Sequence, residues 1–146
     1  MADYGVILMV QLARMPVQVT TAAELAESTA LPSPTVSKLL KQFSRAGLLE
    51  SHRGTNGGYA MARQPGDITV ADIVSAVEGP IALTECMTAD GVSCEIEALC
   101  PTRTNWRQIN DALVGALENI TLVEMARPVF SVPAAEPVSV VADATA

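Results

Sequence analysis

The chain has 146 residues, 49% of them hydrophobic and 17% charged, and its formal net charge is −7 at pH 7. A chain of this length holds one domain, or one small domain with an appendage, and the acidic balance argues against binding nucleic acid through the whole surface. No apolar run approaches the roughly 20 residues that cross a bilayer. With no export signal at its start, we expect a cytoplasmic protein without a membrane partner.

The basic residues are concentrated in the first half of the chain. Residues 1–65 contain six Lys or Arg against four Asp or Glu, whereas residues 66–146 contain three against twelve. Five of the first six lie between positions 33 and 63, where Glu50 is the only acidic residue. A basic segment within an acidic chain indicates a local anion-binding surface.

The first two elements are predicted helices. The apolar pattern from about Tyr4 to Met15 predicts a helix that stops before Pro16, because a residue that precedes proline avoids the helical conformation. Thr21 and Glu24 have the spacing of a capping box, in which each side chain bonds the backbone N–H of the other residue. A second, short helix is therefore expected from this point.

A third helix is predicted between Ser33, as its N-cap, and Gly47, which stops it. Pro34 suits the first helical position, where no backbone N–H is needed. Four apolar residues recur at helical spacing and predict the buried face: Val36, Leu39, Leu40 and Phe43. Two short helices joined by a tight turn, the second with basic and hydroxyl residues on its other face, are typical of a helix-turn-helix.

A β-hairpin is predicted directly after this helix. Residues 48–53 and 59–63 form the two strands, and the Asn56-Gly57 pair between them suits positive φ in the turn. A hairpin in this position is the wing of a winged helix. The predicted fold class is therefore mainly α with a small β-hairpin. It is a winged helix-turn-helix followed by a longer helix, over about 102–118, that is predicted to be a dimerisation helix.

The third helix and the wing together predict a surface for double-stranded DNA. Side chains in the first turn of a recognition helix reach base edges, and basic residues further along reach phosphates. We expect contacts from eight residues: Thr35, Ser37 and Lys38 at bases, Lys41 and Arg45 at phosphates, and Arg53, Thr55 and Asn56 at the wing tip. A solvated helix face without DNA-binding function is the alternative interpretation.

A fourth helix is predicted from Thr69 to Gly79, and a longer fifth helix over about 102–118. Apolar residues recur along the fifth helix at spacings of three and four: Trp106, Ile109, Leu113, Leu117 and Ile120. Pairing of this apolar seam with a second copy would form a homodimer and space two recognition helices for a pseudo-palindromic operator. Packing of the seam on the first helix is the alternative.

The three cysteines of the chain, Cys86, Cys94 and Cys100, lie within fifteen residues. An odd number of clustered thiols is a poor disulfide framework and a good set of soft metal ligands. Three thiolates can hold zinc or an iron–sulfur cluster, and ordinary packing of the three side chains is the alternative. His52, the only histidine, falls in the wing and is not expected to be a ligand.

Motifs along residues 3–127 form a set. They are Asp3-Tyr4-Gly5, Pro34-Thr-Val-Ser-Lys-Leu-Leu-Lys41, Ala46-Gly47-Leu48, His52-Arg53-Gly54 with Gly57-Gly58-Tyr59, Ile68-Thr-Val-Ala-Asp72-Ile73, Glu78-Gly79-Pro80, the three cysteines, Pro101-Thr-Arg103 and Asn105-Trp106. This set resembles the winged-helix iron–sulfur regulators that include IscR and the nitric-oxide sensor NsrR. The resemblance is closest to the branch that controls the SUF cluster-assembly operon.

The resemblance implies a homodimeric transcriptional regulator. It implies that Cys86, Cys94 and Cys100 hold one iron–sulfur cluster per protomer, of the 2Fe-2S or the 4Fe-4S type. Cluster occupancy would alter the affinity for promoter DNA, and the SUF assembly genes are the expected targets.

The fourth ligand departs from the IscR pattern. Members like IscR use a histidine three residues after the last cysteine, where this chain has Arg103, which stays protonated and does not ligate. Members like NsrR use an N-terminal aspartate of the other protomer, and Asp3 of the partner subunit matches that place. Water, a thiolate or another carboxylate are the alternatives. Family members usually have several more residues before this motif, so the true start could lie upstream.

These observations divide the chain into four parts: 1–80 as the winged helix, 81–101 as the cysteine loop, 102–127 as the dimerisation helix with a short C-terminal turn, and 128–146 as a flexible tail. Two other functions stay open. One is a thiol- or zinc-based redox switch on the same scaffold, and the other is an iron–sulfur carrier that docks to proteins through the winged helix. An enzyme is not expected, because the chain has no Ser/His/Asp set and no phosphate-binding glycine loop between a strand and a helix.

Overall fold

The computed structural model describes residues 1–15, 18–87 and 99–128. Its helices are α1 (Ala2–Arg14), α2 (Ala22–Thr29), α3 (Ser33–Arg45), α4 (Val70–Glu78), α5 (Arg103–Glu118) and α6 (Leu122–Ala126). The strands are β1 (Leu49–His52) and β2 (Gly58–Met61), and 3₁₀ turns cover Pro65–Asp67 and Glu85–Met87. The predicted order of elements is confirmed. Cys94 and nearly all of the predicted tail lie outside the described residues. None of the described helices is long and apolar enough to cross a bilayer.

The core forms where α3 packs against α1, α2 and α4. All four residues of α3 that were predicted to face inward are fully buried: Val36, Leu39, Leu40 and Phe43. They belong to one apolar cluster with Leu8 and Met9 of α1. Each buried side chain of this size contributes about 1.5–3 kcal/mol of hydrophobic stabilisation. Gly5 lets α1 approach closely, because a Cβ at this position would lie 3.1 Å from Cζ of Phe43.

Three helices begin at capping boxes. At α2 the Glu24 N–H donates to Thr21 Oγ1 over 3.2 Å, and the Thr21 N–H donates to Glu24 Oε2 over 2.8 Å. The same reciprocal arrangement opens α4 and α6. The backbone N–H of Thr21, followed by its hydroxyl, lowers the pKa of Glu24. This contribution to stability is therefore present above the ordinary pKa of glutamate and is lost as the pH falls through the lowered one.

The start of α3 differs from the prediction. Ser33 is the first helical residue and not the N-cap, Pro32 occupies the cap position, and no side chain caps the helix. The reason is that the Val36 N–H donates to the Pro32 carbonyl over 3.0 Å, so helical bonding begins one residue earlier. Pro34 therefore lies in the first turn, where a backbone N–H has no intrahelical partner to lose.

The hairpin of β1 and β2 pairs antiparallel and is the predicted wing. Its turn differs from the prediction, because the positive φ occurs at Gly54 (107°) and not in the Asn56-Gly57 pair. Gly57 is required for space, since a Cβ there would lie 2.6 Å from a backbone oxygen of the hairpin. A backbone bridge between Thr20 and Tyr59, with N–H to oxygen distances of 2.9 and 2.8 Å, joins the wing to the segment before α2.

The short helix α6 returns to the winged-helix core. Leu122 is fully buried, and its N–H donates to the Ile68 carbonyl over 2.8 Å. α6 also packs on α1, where Arg14 Nε donates to the Ala126 carbonyl over 3.0 Å. The C-terminal end of α5 is therefore held close to the winged helix.

Candidate functional site

The outward face of α3 carries the predicted DNA-contacting residues. Lys38, Lys41 and Arg45 are exposed, and Thr35 and Ser37 are half-buried beside them. The buried stripe of α3 fixes this orientation, because it turns the opposite side of the helix to solvent. Among the described residues, no ion pair involves the three basic side chains. Their charge is therefore available to an anionic partner.

This face of α3 is open to solvent and is bonded to α4 at one point. The residues that share the open face are Pro34, Ser37, Lys38, Lys41, Gln42 and Arg45. Gln42 Nε2 donates to the Val77 carbonyl, in the last turn of α4, over 3.2 Å. At the wing, Arg53, Thr55 and Asn56 are exposed at and beside the turn between β1 and β2. The predicted DNA-contacting residues thus form two exposed groups, one on a rigid helix and one on a hairpin.

The apolar seam of α5 is largely uncovered by the described part of the chain. The accessible fractions are 39% for Trp106, 49% for Ile109, 36% for Leu113 and 39% for Ile120, and Leu117 is half-buried. α5 contacts α4 and the 85–87 turn, and its one buried residue, Asn110, lies beside the seam. The seam therefore faces outward, where a further protein surface could cover it.

Cys86 and Cys100 lie at the two described ends of the cysteine segment. Cys86 is in the 3₁₀ turn of residues 85–87, Cys100 precedes α5, and both are half-buried free thiols. Each sulfur lies beside a threonine hydroxyl, at 3.2 Å for Thr84 and 3.5 Å for Thr102. A thiolate ligand accepts hydrogen bonds, so both hydroxyls are placed to donate to a ligating sulfur.

The surroundings of Cys100 favour its thiolate form. The Thr102 hydroxyl, then the backbone N–H groups of Thr102 and Arg103 and the Arg103 charge, lower the pKa of Cys100. The thiolate is the form of cysteine that binds metals and reacts as a nucleophile. Arg103 occupies the position at which IscR-like proteins place a histidine ligand. In this structure it favours the thiolate of the neighbouring cysteine.

Asn110 is a buried polar residue next to the cysteine segment that the sequence pattern did not single out. It is the only buried residue of α5, with 8% of its surface exposed. Its Oδ1 accepts the Leu83 N–H over 3.0 Å, and its Nδ2 donates to the Ile81 carbonyl over 3.3 Å. The sequence feature that could have indicated this burial is the position of a polar residue one helical turn after Trp106, beside an otherwise apolar seam.

Asp3, the predicted fourth ligand from the partner subunit, lies in the first turn of α1. Its side chain is 68% exposed, and Oδ1 lies 3.3 Å from the ammonium group of Met1. The Tyr4 backbone N–H is the largest cause that lowers the pKa of Asp3. Within the described residues, no three Cys, His, Asp or Glu side chains come close enough to hold a metal ion. The described part of one chain therefore does not assemble the predicted ligand set.

Comparison with known proteins identifies relatives among gene regulators. The sequence profile of the Rrf2 family, described as an iron-dependent transcriptional regulator, matches residues 1–128. The HTH-type transcriptional regulator IscR of Enterobacter sp. (strain 638) is 33% identical over 103 residues, which are 70% of this chain and 62% of that protein. The match thus covers less than two thirds of the curated relative's length. Such relatives are regulators and not enzymes, in agreement with the sequence prediction.

Two solved structures share the fold. CymR, described as the global cysteine regulator of B. subtilis, has a TM-score of 0.64 and 30% identity, and the match covers 86% of this chain and 92% of that one. IscR of T. potens has a TM-score of 0.60 and 30% identity, with 85% and 81% covered. These similarities confirm the winged-helix fold class and the resemblance to IscR-type regulators that the motifs predicted.

Replacing Thr102 by valine should raise the pKa of Cys100 toward its ordinary value, because the largest of its thiolate-stabilising hydrogen bonds is lost. At neutral pH the thiolate fraction then falls, and alkylation of Cys100 by iodoacetamide slows. The measurement is the pH dependence of the alkylation rate in metal-free protein, followed by mass spectrometry. Thr104→Val, an exposed position in the first turn of α5, is the matched control. A midpoint that stays in place or moves to lower pH in Thr102→Val contradicts the assignment.

Proposed function

The chain belongs to the Rrf2 family, and from that premise we propose that it is a DNA-binding transcriptional regulator whose three cysteines hold an iron–sulfur cluster. Its proposed targets are the SUF cluster-assembly genes. The observation that carries the proposal is the pair of free thiols, Cys86 and Cys100, that flank the segment containing Cys94 in a chain of this family.

The DNA-binding part of the proposal is supported by the charge and shape of α3 and the wing. Lys38, Lys41 and Arg45 project from a helix whose other side is locked into the core. A helix with this exposure fits the major groove, and its first turn reaches base edges. The net charge of −7 repels DNA elsewhere on the protein. Binding is therefore confined to this surface and depends on both copies in a dimer.

The described thiols fit an iron–sulfur cluster by their chemistry. Cys86 and Cys100 are unbridged, each has a hydroxyl donor beside its sulfur, and the surroundings of Cys100 favour its thiolate. Cys86, Cys94 and Cys100 would supply three ligands, and we propose Asp3 of the partner subunit as the fourth. When bound, the cluster would link these ligands through a redox-sensitive group that can also dissociate.

The regulatory step is a restraint on the chain between α4 and α5. Ligation of Cys86 and Cys100 to one centre would use ligand-binding free energy to hold the two cysteines at a fixed separation. α4 is bonded to α3 through Gln42 and Val77, and α5 contacts α4. A restrained segment therefore biases the orientation of α5 relative to α3. In a dimer joined along α5, this orientation sets the spacing of the two α3 helices and hence the affinity for the operator.

A thiol-based switch is the second candidate, and the lowered pKa of Cys100 favours it. A solvent-accessible thiol with a lowered pKa reacts readily with oxidants. This candidate requires that metal-free protein changes its operator affinity when a mild oxidant forms a disulfide. The cluster proposal requires no such change.

The cluster proposal predicts different operator affinities for two states of the protein. Protein reconstituted without air should differ in operator affinity from metal-free protein, because only ligated cysteines restrain α5. Cys94→Ala should match the metal-free form under both treatments. Fluorescence anisotropy at one fixed salt concentration measures all three affinities. Equal affinities for the reconstituted, metal-free and Cys94→Ala proteins would refute cluster-dependent regulation.

Removing positive side chains from the α3 face or the wing should weaken operator binding. Lys38→Ala should cost about 1–3 kcal/mol if Lys38 contacts a base, whereas Lys41→Ala should reduce the salt dependence of binding by about one phosphate contact. Arg53→Ala should weaken binding through the wing. Arg127→Ala, which removes the same charge beyond α6, is the control. Normal affinity in both Lys38→Ala and Arg53→Ala would exclude this surface.

A charge in the centre of the α5 seam should separate the proposed dimer. Leu113→Asp places a carboxylate in an apolar contact where it lacks a partner, so sedimentation equilibrium should report a monomer. Val123→Asp is the matched control, since Val123 is an apolar residue of α6 with a similar exposure, 39% against 36%. A wild-type protein that is monomeric, or a Leu113→Asp protein that dimerises normally, contradicts the assignment.

A further inference from the structure

We propose that Asn110 is a positioning residue for the cysteine site, and this inference rests on the proposed function. Its side-chain amide holds the backbone that leads to Cys86 against the helix that follows Cys100. Asn110 would thus set where the first cysteine lies relative to the last, without contacting a metal centre itself.

The geometry is that of a two-point clamp. One Asn110 side chain accepts the Leu83 N–H at 3.0 Å and donates to the Ile81 carbonyl at 3.3 Å. These backbone groups lie 27 and 29 residues before Asn110 in the chain. The two bonds fix both the distance and the direction of residues 81–83 along α5. A single bond would leave this segment free to rotate about the contact.

The clamp is joined to Cys86 by a short bonded path. Thr84 directly follows the clamped Leu83, and its carbonyl accepts the Met87 N–H over 3.0 Å, which closes the turn that contains Cys86. The Thr84 hydroxyl lies 3.2 Å from Cys86 Sγ. Displacement of Leu83 would therefore move the turn and the sulfur together.

An asparagine at position 110 indicates a hydrogen-bonding role in addition to packing. Asn110 is 8% exposed on a helix whose neighbouring side is apolar, and a leucine there would bury its surface without desolvating an amide. A buried amide is favourable only when its bonds are made, and both bonds are made here to main-chain groups. The two main-chain groups require one short side chain that carries both a donor and an acceptor, and asparagine is such a residue.

The test compares three variants of the full chain, kept reduced and metal-free with a chelator. In Asn110→Ala both bonds are lost, so hydrogen exchange at the Leu83 amide should be about tenfold faster, as expected when one to two net hydrogen bonds are removed. Alkylation of Cys86 by iodoacetamide should rise several-fold, with Cys94 and Cys100 unchanged. Asn110→Asp keeps the acceptor for Leu83, so this amide should stay protected. Gln108→Ala, an exposed change on α5, is the control.

Two results would overturn the assignment. One is a Leu83 exchange rate and a Cys86 alkylation rate in Asn110→Ala that match those of Gln108→Ala. The other is an equal increase at all three cysteines, which would indicate general loosening. If Asn110→Ala does not fold, the Asn110→Asp comparison decides: a Leu83 amide that exchanges as fast as an unfolded one refutes the clamp. All measurements are made without iron, so their outcome does not depend on whether the cysteines bind a cluster. A negative result for the clamp can therefore be distinguished from a negative result for the cluster proposal.

Discussion

The burial of one side of α3 is the constraint on which the other features of this molecule depend. Four side chains, Val36, Leu39, Leu40 and Phe43, are withdrawn from solvent completely, and Gly5 lets α1 come within contact distance of the Phe43 ring. A helix with four such anchors cannot rotate about its axis without exposing apolar surface. The basic side chains on the opposite face therefore point outward because the core holds the helix, and they need no contacts of their own.

The same helix is connected to the cysteine segment through α4. Gln42 bonds the last turn of α4, and the chain then continues within a few residues to the backbone that Asn110 holds on α5. Polar contacts of this kind are directional, whereas apolar contacts can slide. A displacement at the cysteines is thus transmitted by defined bonds at two points. Under the proposed function, these bonds would couple ligation at the cysteines to the relative orientation of α5 and α3.

The features that the sequence predicted correctly are those with local causes. The capping box at Thr21 involves residues three positions apart, and the buried stripe of α3 follows from helical periodicity alone. Ser33 was wrongly assigned as the N-cap because a backbone bond to Pro32 starts the helix earlier. In the wing, the predicted positive φ at the Asn56-Gly57 pair was wrong, because Gly54 has it and Gly57 is needed for space. A glycine in a turn can be needed for a positive φ or for lack of room for a Cβ atom. The sequence does not show which of two neighbouring glycines has which role, and the folded hairpin does.

The features that could not be predicted depend on distant partners. In the sequence, Asn110 has the pattern of an ordinary polar helix residue. Its role depends on backbone partners 27 and 29 positions away, which only the fold places beside it. The docking of α6 onto α1 likewise requires the folded core. The clustering of the thiols predicts the three cysteine ligands, and the resemblance predicts Asp3; of these four residues the structure describes Cys86, Cys100 and Asp3. Their joint role in binding a cluster stays a prediction.

The content of iron and acid-labile sulfide in protein isolated without air tests the central claim most directly. The account predicts that both are present in the wild-type protein, with a visible absorption band, and that Cys94→Ala loses both. Wild-type protein that carries neither iron nor sulfide under any anaerobic handling, or that carries zinc and is colourless, would contradict it.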